Sequence, residues 1–375
     1  MQRINIFLLL LLLIGFASCM KDEVLWQKGR MNHKSRSAGL FITNEGNFMY
    51  GNSSLSYYDM EEETVENLVF FETNGFPMGD VAQSMVIRDT LGYVVINNSS
   101  KIYVINTNTF KCVGKIIGLN SPRYIHFLGK HKAYVTDLYA KKISIIDPLG
   151  DYEKTGIVNG KIIGSIDVSN DDTEFYQHPT EQMVQYKQFV FTNCWSYDNK
   201  ILVIDTNTDK VVDTIEVLKQ PTSLVIDRFN HIWTITDGGY KDSPYGQEAP
   251  GLQCIDAETR KVLKTWRFEF DDWPSEVQIN GTKDILYFIN KHVYRMPASL
   301  TAEPECFIKN PDVDKQNGGF YGLTIDPNTG EIYVANAIDY QQQGIVYRFD
   351  RTGIPVDTFK VGIIPGAFCF KPSLD

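Results

Sequence analysis

The sequence predicts an all-β protein, a seven-bladed β-propeller with four-stranded blades, closed by pairing its last strand with its first ones. Three observations lead there. A strand–turn–strand unit recurs along the chain, a short apolar run precedes each copy at near-regular spacing, and the two chain ends hold complementary parts of one unit.

The unit is clearest at residues 200–215, where an apolar strand closes on Asp205, a polar turn follows, and alternation resumes at Lys210. Residues 101–109 and 251–262 repeat it closely, and 143–148, 346–353 and 55–59 more loosely. The composition agrees. With 43% apolar residues, 22 Phe, 20 Tyr and 5 Trp in 375 residues, the chain suits pleated, half-buried strands and a large core.

The preceding runs start at Ala82, Pro122, Glu181, Pro221, Pro274, Phe320 and Pro365, spaced by 40, 59, 40, 53, 46 and 45 residues. That is the period of a propeller blade of roughly 40 to 50 residues. Each full unit reads as strand A after the start, strand B ending in a short polar loop (Tyr134-Val135-Thr136-Asp137, for example), strand C closing on Asp or Asn, and strand D. The last unit holds only strand A. Its missing parts stand at the beginning, 39–44 for B, 55–59 for C and 64–70 for D. Closing the ring in this way pairs the last strand and leaves only the short outer edge of each blade, whereas an open stacked solenoid would need no complementary half-units.

Ahead of the propeller, Arg3, an apolar run from Ile6 to Ile14 with six consecutive Leu, and Phe16-Ala17-Ser18 before Cys19 have the form of a secretory leader. The run is too short to span a membrane comfortably. The pattern resembles a bacterial lipoprotein signal with Cys19 as the lipidated residue, which divides the chain into a leader at 1–18, a tether at 19–38 and one propeller domain at 39–375. Lys21-Asp22-Glu23 resembles the export signal of Bacteroidetes surface lipoproteins, and Val24, Leu25 and Trp26 are too few to form a core. The remaining cysteines, Cys112, Cys194, Cys254, Cys306 and Cys369, are odd in number and lack C-x-x-C spacing, so they read mainly as small core hydrophobes. A net charge of −10 without a Lys/Arg cluster argues against nucleic acid as a partner.

Antiparallel blades place the B–C loops and the D-to-A connections on one face. The A–B and C–D connections, such as 205–208, 227–230 and 326–330, are tight turns explained by turn geometry. The long insertions, 167–178 and 236–250, fall on the other face. That face gathers Asn97, Asn98, Tyr139, Trp195, Tyr197, Asp237, Tyr240, Asn336, Asp339 and Tyr340 from B–C loops, and Arg123, Tyr124 and Tyr321 from D-to-A connections. Amides and aromatics converging on a ring mouth suit a large ligand with flat apolar surface and hydrogen-bonding groups at its edge.

Enzyme signatures are missing. No G-x-S-x-G, Walker or dinucleotide motif is present, and the six histidines include no pair at metal-ligand spacing. Residues 312–318 hint at a calcium loop but have Asn317 and Leu323 where Gly and Glu are needed. A propeller lactonase would need carboxylates at the channel, and Glu45, Glu181 and Glu276 near strand ends are its candidates.

The repeated Tyr-Val-x-Asn and Tyr-Val-Thr-Asp loops followed by Ile-x-Val-Ile-Asp resemble the YVTN/YncE-type propellers over nearly the whole mature chain. Residues 39–48, GLFITNEGNF, followed by 52–59, NSSLSYYD, together with the leader, resemble the BtuG-type surface lipoproteins of Bacteroidetes, which capture cobamides. The resemblance implies a non-enzymatic, lipid-anchored protein on the outer face of the outer membrane. It would bind vitamin B12 and other cobamides, pass them to a TonB-dependent transporter, and require no cofactor. It adds Asn44, Asn47 and Phe48 to the binding residues. Capture of a glycan or protein partner, or lactone hydrolysis, are the other functions open to such a propeller.

Overall fold

A computed structural model describes residues 38–171, 176–311 and 319–372. They form seven four-stranded antiparallel sheets. The innermost strands are Ala82–Arg88, Pro122–Phe127, Thr180–Tyr186, Pro221–Ile226, Ser275–Ile279, Phe320–Ile325 and Pro365–Lys371. The last of these pairs with Gly39–Asn44, matching Phe370 to Leu40 and Phe368 to Ile42. Ser54–Asp59 and Thr64–Glu66 complete that composite blade, so the ring closes as the sequence predicts.

Apolar side chains are buried between blades rather than in one central core. Leu91, Tyr93 and Val104 of the first complete blade pack with Val135 and Ile146 of the second. Trp233, Leu252 and Trp266 pack likewise against Val277, Leu286 and Phe288 of the next blade. Covered on both faces, the middle strands read as continuous apolar runs: residues 201–204 of Lys200–Asp205 are all buried. The outermost strand Lys210–Glu216 carries mostly exposed residues.

Local hydrogen bonds explain the recurring polar residues. In the turn after residue 204, Asp205 Oδ1 accepts from Asn207 N at 2.9 Å; Asp326 Oδ1 accepts from Asn328 N at 2.7 Å in the equivalent turn role. The Asn at the end of strand B reaches to the next blade, Asn193 Nδ2 donating to Pro221 O at 2.6 Å and Asn97 Nδ2 to Pro122 O at 3.1 Å.

The outer strand of the composite blade is shorter than the sequence suggests. It ends at Glu66, and residues Val69–Asn74 form a short helix instead. Leu68 turns left-handed (φ 57°), which breaks the extended run, and the helix buries Val69 and Phe70, the latter against Tyr103 at 5.0 Å. All five described cysteines are free; Cys194 and Cys254 are buried as expected, but Cys306 is exposed. The expected leader, Cys19, most of the tether and the loop 312–318 lie outside the described residues. Among the described residues no helix is long and apolar enough to cross a membrane.

The seam beside the composite blade is tied by buried Arg348. Its Nη2 and Nε donate to the two oxygens of Glu331 at 2.9 and 3.1 Å, and its Nη1 to Tyr58 Oη and Glu63 Oε1 at 3.2 and 2.8 Å. Tyr58 also stacks on Phe359, with ring centroids 4.3 Å apart. Among the described residues, Arg348→Met leaves Glu331 with only the Tyr333 hydroxyl at 3.3 Å and no cationic partner, and should cost about 3 kcal/mol, read as a lower urea midpoint at unchanged m-value.

Candidate functional site

Every innermost strand begins with a break in register. The shifts fall between Ala82 and Ser84, Pro122 and Ile125, Thr180 and Met183, Pro221 and Ser223, Ser275 and Gln278, and Phe320 and Leu323, and where Ala367 and Pro365 meet Thr43 and Asn44. A bulge re-aims the side chain it carries. The bulged positions include Gln83, Arg123, Glu181, Thr222, Glu276, Tyr321 and Gly366, one per blade, and all seven line a funnel of about 860 Å³ at the ring centre. At Glu276 the backbone is left-handed (φ 55°), strained for a residue with a side chain.

Gly366 is the one bulge without a side chain, and Glu45 fills its place. A Cβ on Gly366 would lie 2.4 Å from Glu45 Oε1. Glu45 follows strand Gly39–Asn44, so it enters this ring from a B–C loop. Tyr321 Oη donates to Glu45 Oε1 at 3.0 Å. Arg123 Nε donates to both oxygens of Glu181 at 2.8 and 2.9 Å, and its Nη1 donates to Gln83 Oε1. Gln278 Nε2 donates to Glu276 Oε2 at 3.3 Å.

The floor thus holds three carboxylates and one guanidinium. Burial raises the carboxyls of Glu45 and Glu181, against the hydrogen bond from Tyr321 in the first case and the pull of Arg123 in the second. Among the described residues Glu276 has no cationic partner. Burial, with the charges of Glu45 and Glu181 added, pushes it up to about 7 against the bond from Gln278.

Above the floor the wall and rim turn aromatic. Phe48, Tyr139, Trp273 and Tyr340 line the funnel and are 64, 58, 56 and 44% exposed. Trp195 lies in the wall, its indole Nε1 donating to Asp237 Oδ2 at 3.1 Å, while Asp237 Oδ1 accepts from Gln220 Nε2 at 2.8 Å. Asn98 Nδ2 donates to Asp80 Oδ2 at 2.5 Å, and the same oxygen accepts from Met49 N at 2.7 Å, bracing the loop that carries Phe48.

Of the residues expected to bind ligand, Phe48, Asn97, Asn98, Arg123, Tyr139, Trp195, Asp237, Tyr321 and Tyr340 are brought together in this funnel. Five are not among its lining. Asn44 is fully buried and donates to Ser54 and Ser56 Oγ at 3.2 and 2.9 Å; Asn336 is buried, its Oδ1 accepting from Ile338 N at 2.8 Å. They hold the ends of strand B, the role the repeat gives that position. Asn47 Nδ2 donates to Tyr340 O at 2.6 Å and so braces a lining loop. Tyr197 and Tyr240 pair through their hydroxyls at 3.2 Å outside the funnel. Gln83, Gln182, Thr222 and Trp273 line it without having been expected. The signal for Gln83 and Thr222 was their equivalent place, one residue after a strand start.

A possible metal-ligating group stands elsewhere. Single ligand atoms from His178, Cys194 and Asp198 lie within 4.8 Å of one another. His178 Nδ1 already hydrogen-bonds Asp198 Oδ2 at 2.6 Å, and burial holds the Cys194 thiol well above its ordinary pKa. The contact reads as an anchor for the connection leading into strand Thr180–Tyr186.

The family model described as "Domain of unknown function (DUF5074)" matches residues 38–368. No match was found among the curated proteins. Similar solved structures include a quinoprotein alcohol dehydrogenase-like protein of Bacteroides thetaiotaomicron, with TM-score 0.65, 14% identity, and coverage of 90% of this chain and 79% of that one. A periplasmic gluconolactonase of Pseudomonas aeruginosa gives TM-score 0.64 at 10% identity, covering 90% of this chain and 99% of that one. Hydrazine synthase of Kuenenia stuttgartiensis gives 0.58 at 14%, covering 76% and 88%. At these identities the likeness is one of fold.

A raised carboxyl has a stability signature. Glu276 contributes stability that is fully present below its unfolded pKa, near 4.5, and is lost as pH rises through about 7. Glu276→Gln removes that loss. Its melting temperature should gain on the parent by roughly 2–5 °C between pH 5 and pH 8, checked by thermal melts across that range.

Proposed function

The chain belongs to the DUF5074 family, and from that premise we propose that it is a capture protein whose funnel takes a broad amphiphilic ligand, a cobamide. The observation that carries this reading is the exposed aromatic rim of Phe48, Tyr139, Trp273 and Tyr340 around one funnel with a polar floor. Aromatic faces left open to water cover flat apolar surface at little conformational cost, while the amide and carboxylate groups below meet edge groups. A corrin ring fringed with amides has that combination. With Cys19 as lipid-bearing residue, the protein would hold the ligand outside the outer membrane and pass it to a TonB-dependent transporter.

Calorimetric titration with cyanocobalamin should give a one-to-one binding isotherm. Trp273→Ala combined with Tyr139→Ala should weaken it at least tenfold, about 1.4 kcal/mol, with the circular dichroism spectrum unchanged. No heat at micromolar protein would remove the reading.

One observation supports a second reading, lactone hydrolysis. A channel carboxyl near pH 7, Glu276, is suited to general acid–base work. Turnover of sugar lactones by the parent, lost in Glu276→Gln, is the result that would establish it.

A further inference from the structure

We infer that the funnel floor selects a hydrogen-bond-donating group of the ligand, a primary amide or an ammonium, and rejects a carboxylate in the same place. The inference deepens the capture reading and rests on the funnel being the ligand site.

Its basis is the supply of donors and acceptors around the bulge ring. Glu45 accepts one hydrogen bond, at Oε1 from Tyr321, and Glu276 accepts one, at Oε2 from Gln278. Among the described residues the second oxygen of each has no partner, although both carboxylates line the funnel. The charge of the one guanidinium is already matched: Arg123 donates Nε to both oxygens of Glu181 and Nη1 to Gln83. The other lining cation, Lys291, is paired with Asp272 at 2.7 Å and is more than half exposed. The floor therefore sets three carboxylates against one guanidinium that Glu181 already neutralises, and two of the carboxylates keep an acceptor oxygen for an incoming group.

Construction supports the same conclusion. Gly366 leaves the space that Glu45 occupies, and Glu276 stands on a left-handed backbone that a glycine would adopt at lower cost. Both features place a carboxylate in the channel where the repeat does not require one. An NH₂ or NH₃⁺ group would satisfy the spare oxygens by charge-assisted hydrogen bonds, whereas a carboxylate would meet like charge in a partly dehydrated site. Such a site discriminates strongly because the wrong group leaves its acceptors unpaired.

The test compares ligands that differ only in that group. Cyanocobalamin and its monocarboxylic acids, in which one peripheral propionamide is hydrolysed, are titrated into the purified protein at pH 8. At least one acid isomer should bind tenfold or more weakly than the parent, and the gap should narrow in Glu276→Gln or Glu45→Gln. Equal affinity of every isomer and the parent overturns the inference while leaving capture intact. A second arm does not depend on cobamides: tryptamine and indole-3-propionate are compared by ligand-observed NMR on the parent and on Glu276→Gln. Preference for the amine, reduced in the variant, supports the inference even where cyanocobalamin fails to bind. Equal or tighter binding of the carboxylate overturns it.

Discussion

The pairing of Pro365–Lys371 with Gly39–Asn44 is the contact on which the rest of the molecule depends. Each blade buries its apolar faces only against its two neighbours, so a ring left open would expose two such faces and two inner strands. Residues more than 300 apart in sequence are joined here, as in the bond from Thr43 Oγ1 to Ala367 O, with |i−j| of 324. Contacts of that separation form against a large loop-closure entropy, which makes the composite blade the slow step expected in assembling an otherwise local topology. The Arg348 network and the Tyr58–Phe359 stack reinforce this seam.

Closure also creates the site. Once the inner strands stand side by side, the bulge at the head of each aims one residue at the axis. The scaffold is repeated, but its fillings are Gln83, Arg123, Glu181, Thr222, Glu276, Tyr321 and Gly366. Variation among equivalent positions turns a regular ring into an asymmetric floor, with an ion pair on one side and lone carboxylates on another. The rim is built differently, from loops of unequal length, and there the exposed aromatics collect.

Much of this was legible from the chain. Strand starts at Ala82, Pro122, Pro221, Phe320 and Pro365 match the structure, and the others fall within one residue of it, because turn residues and apolar runs are local signals. The outer strand of the composite blade was misread past Glu66, since an apolar run of that length is compatible with a strand or a helical turn, and Leu68 decides between them by its backbone angle. Loop assignment to a face grouped Trp195, Tyr139 and Tyr340, which line the funnel together. It also drew in Asn336, and the family resemblance drew in Asn44; their type suits a ligand, but their position at the end of a buried strand commits them to local bonds with Ile338 N and with the Ser54 and Ser56 hydroxyls.

By itself, the sequence determined the architecture: the period sets the blade count, and complementary ends require closure. It also named the three glutamates near strand ends. Tertiary structure alone decided what they do together, because Glu45 from the first strand's loop, Glu181 from mid-chain and Glu276 beyond it meet only when the ring is shut. The shift of Glu276 to about 7 arises from burial and from the charges of Glu45 and Glu181, which are interactions across the lumen that no local pattern encodes.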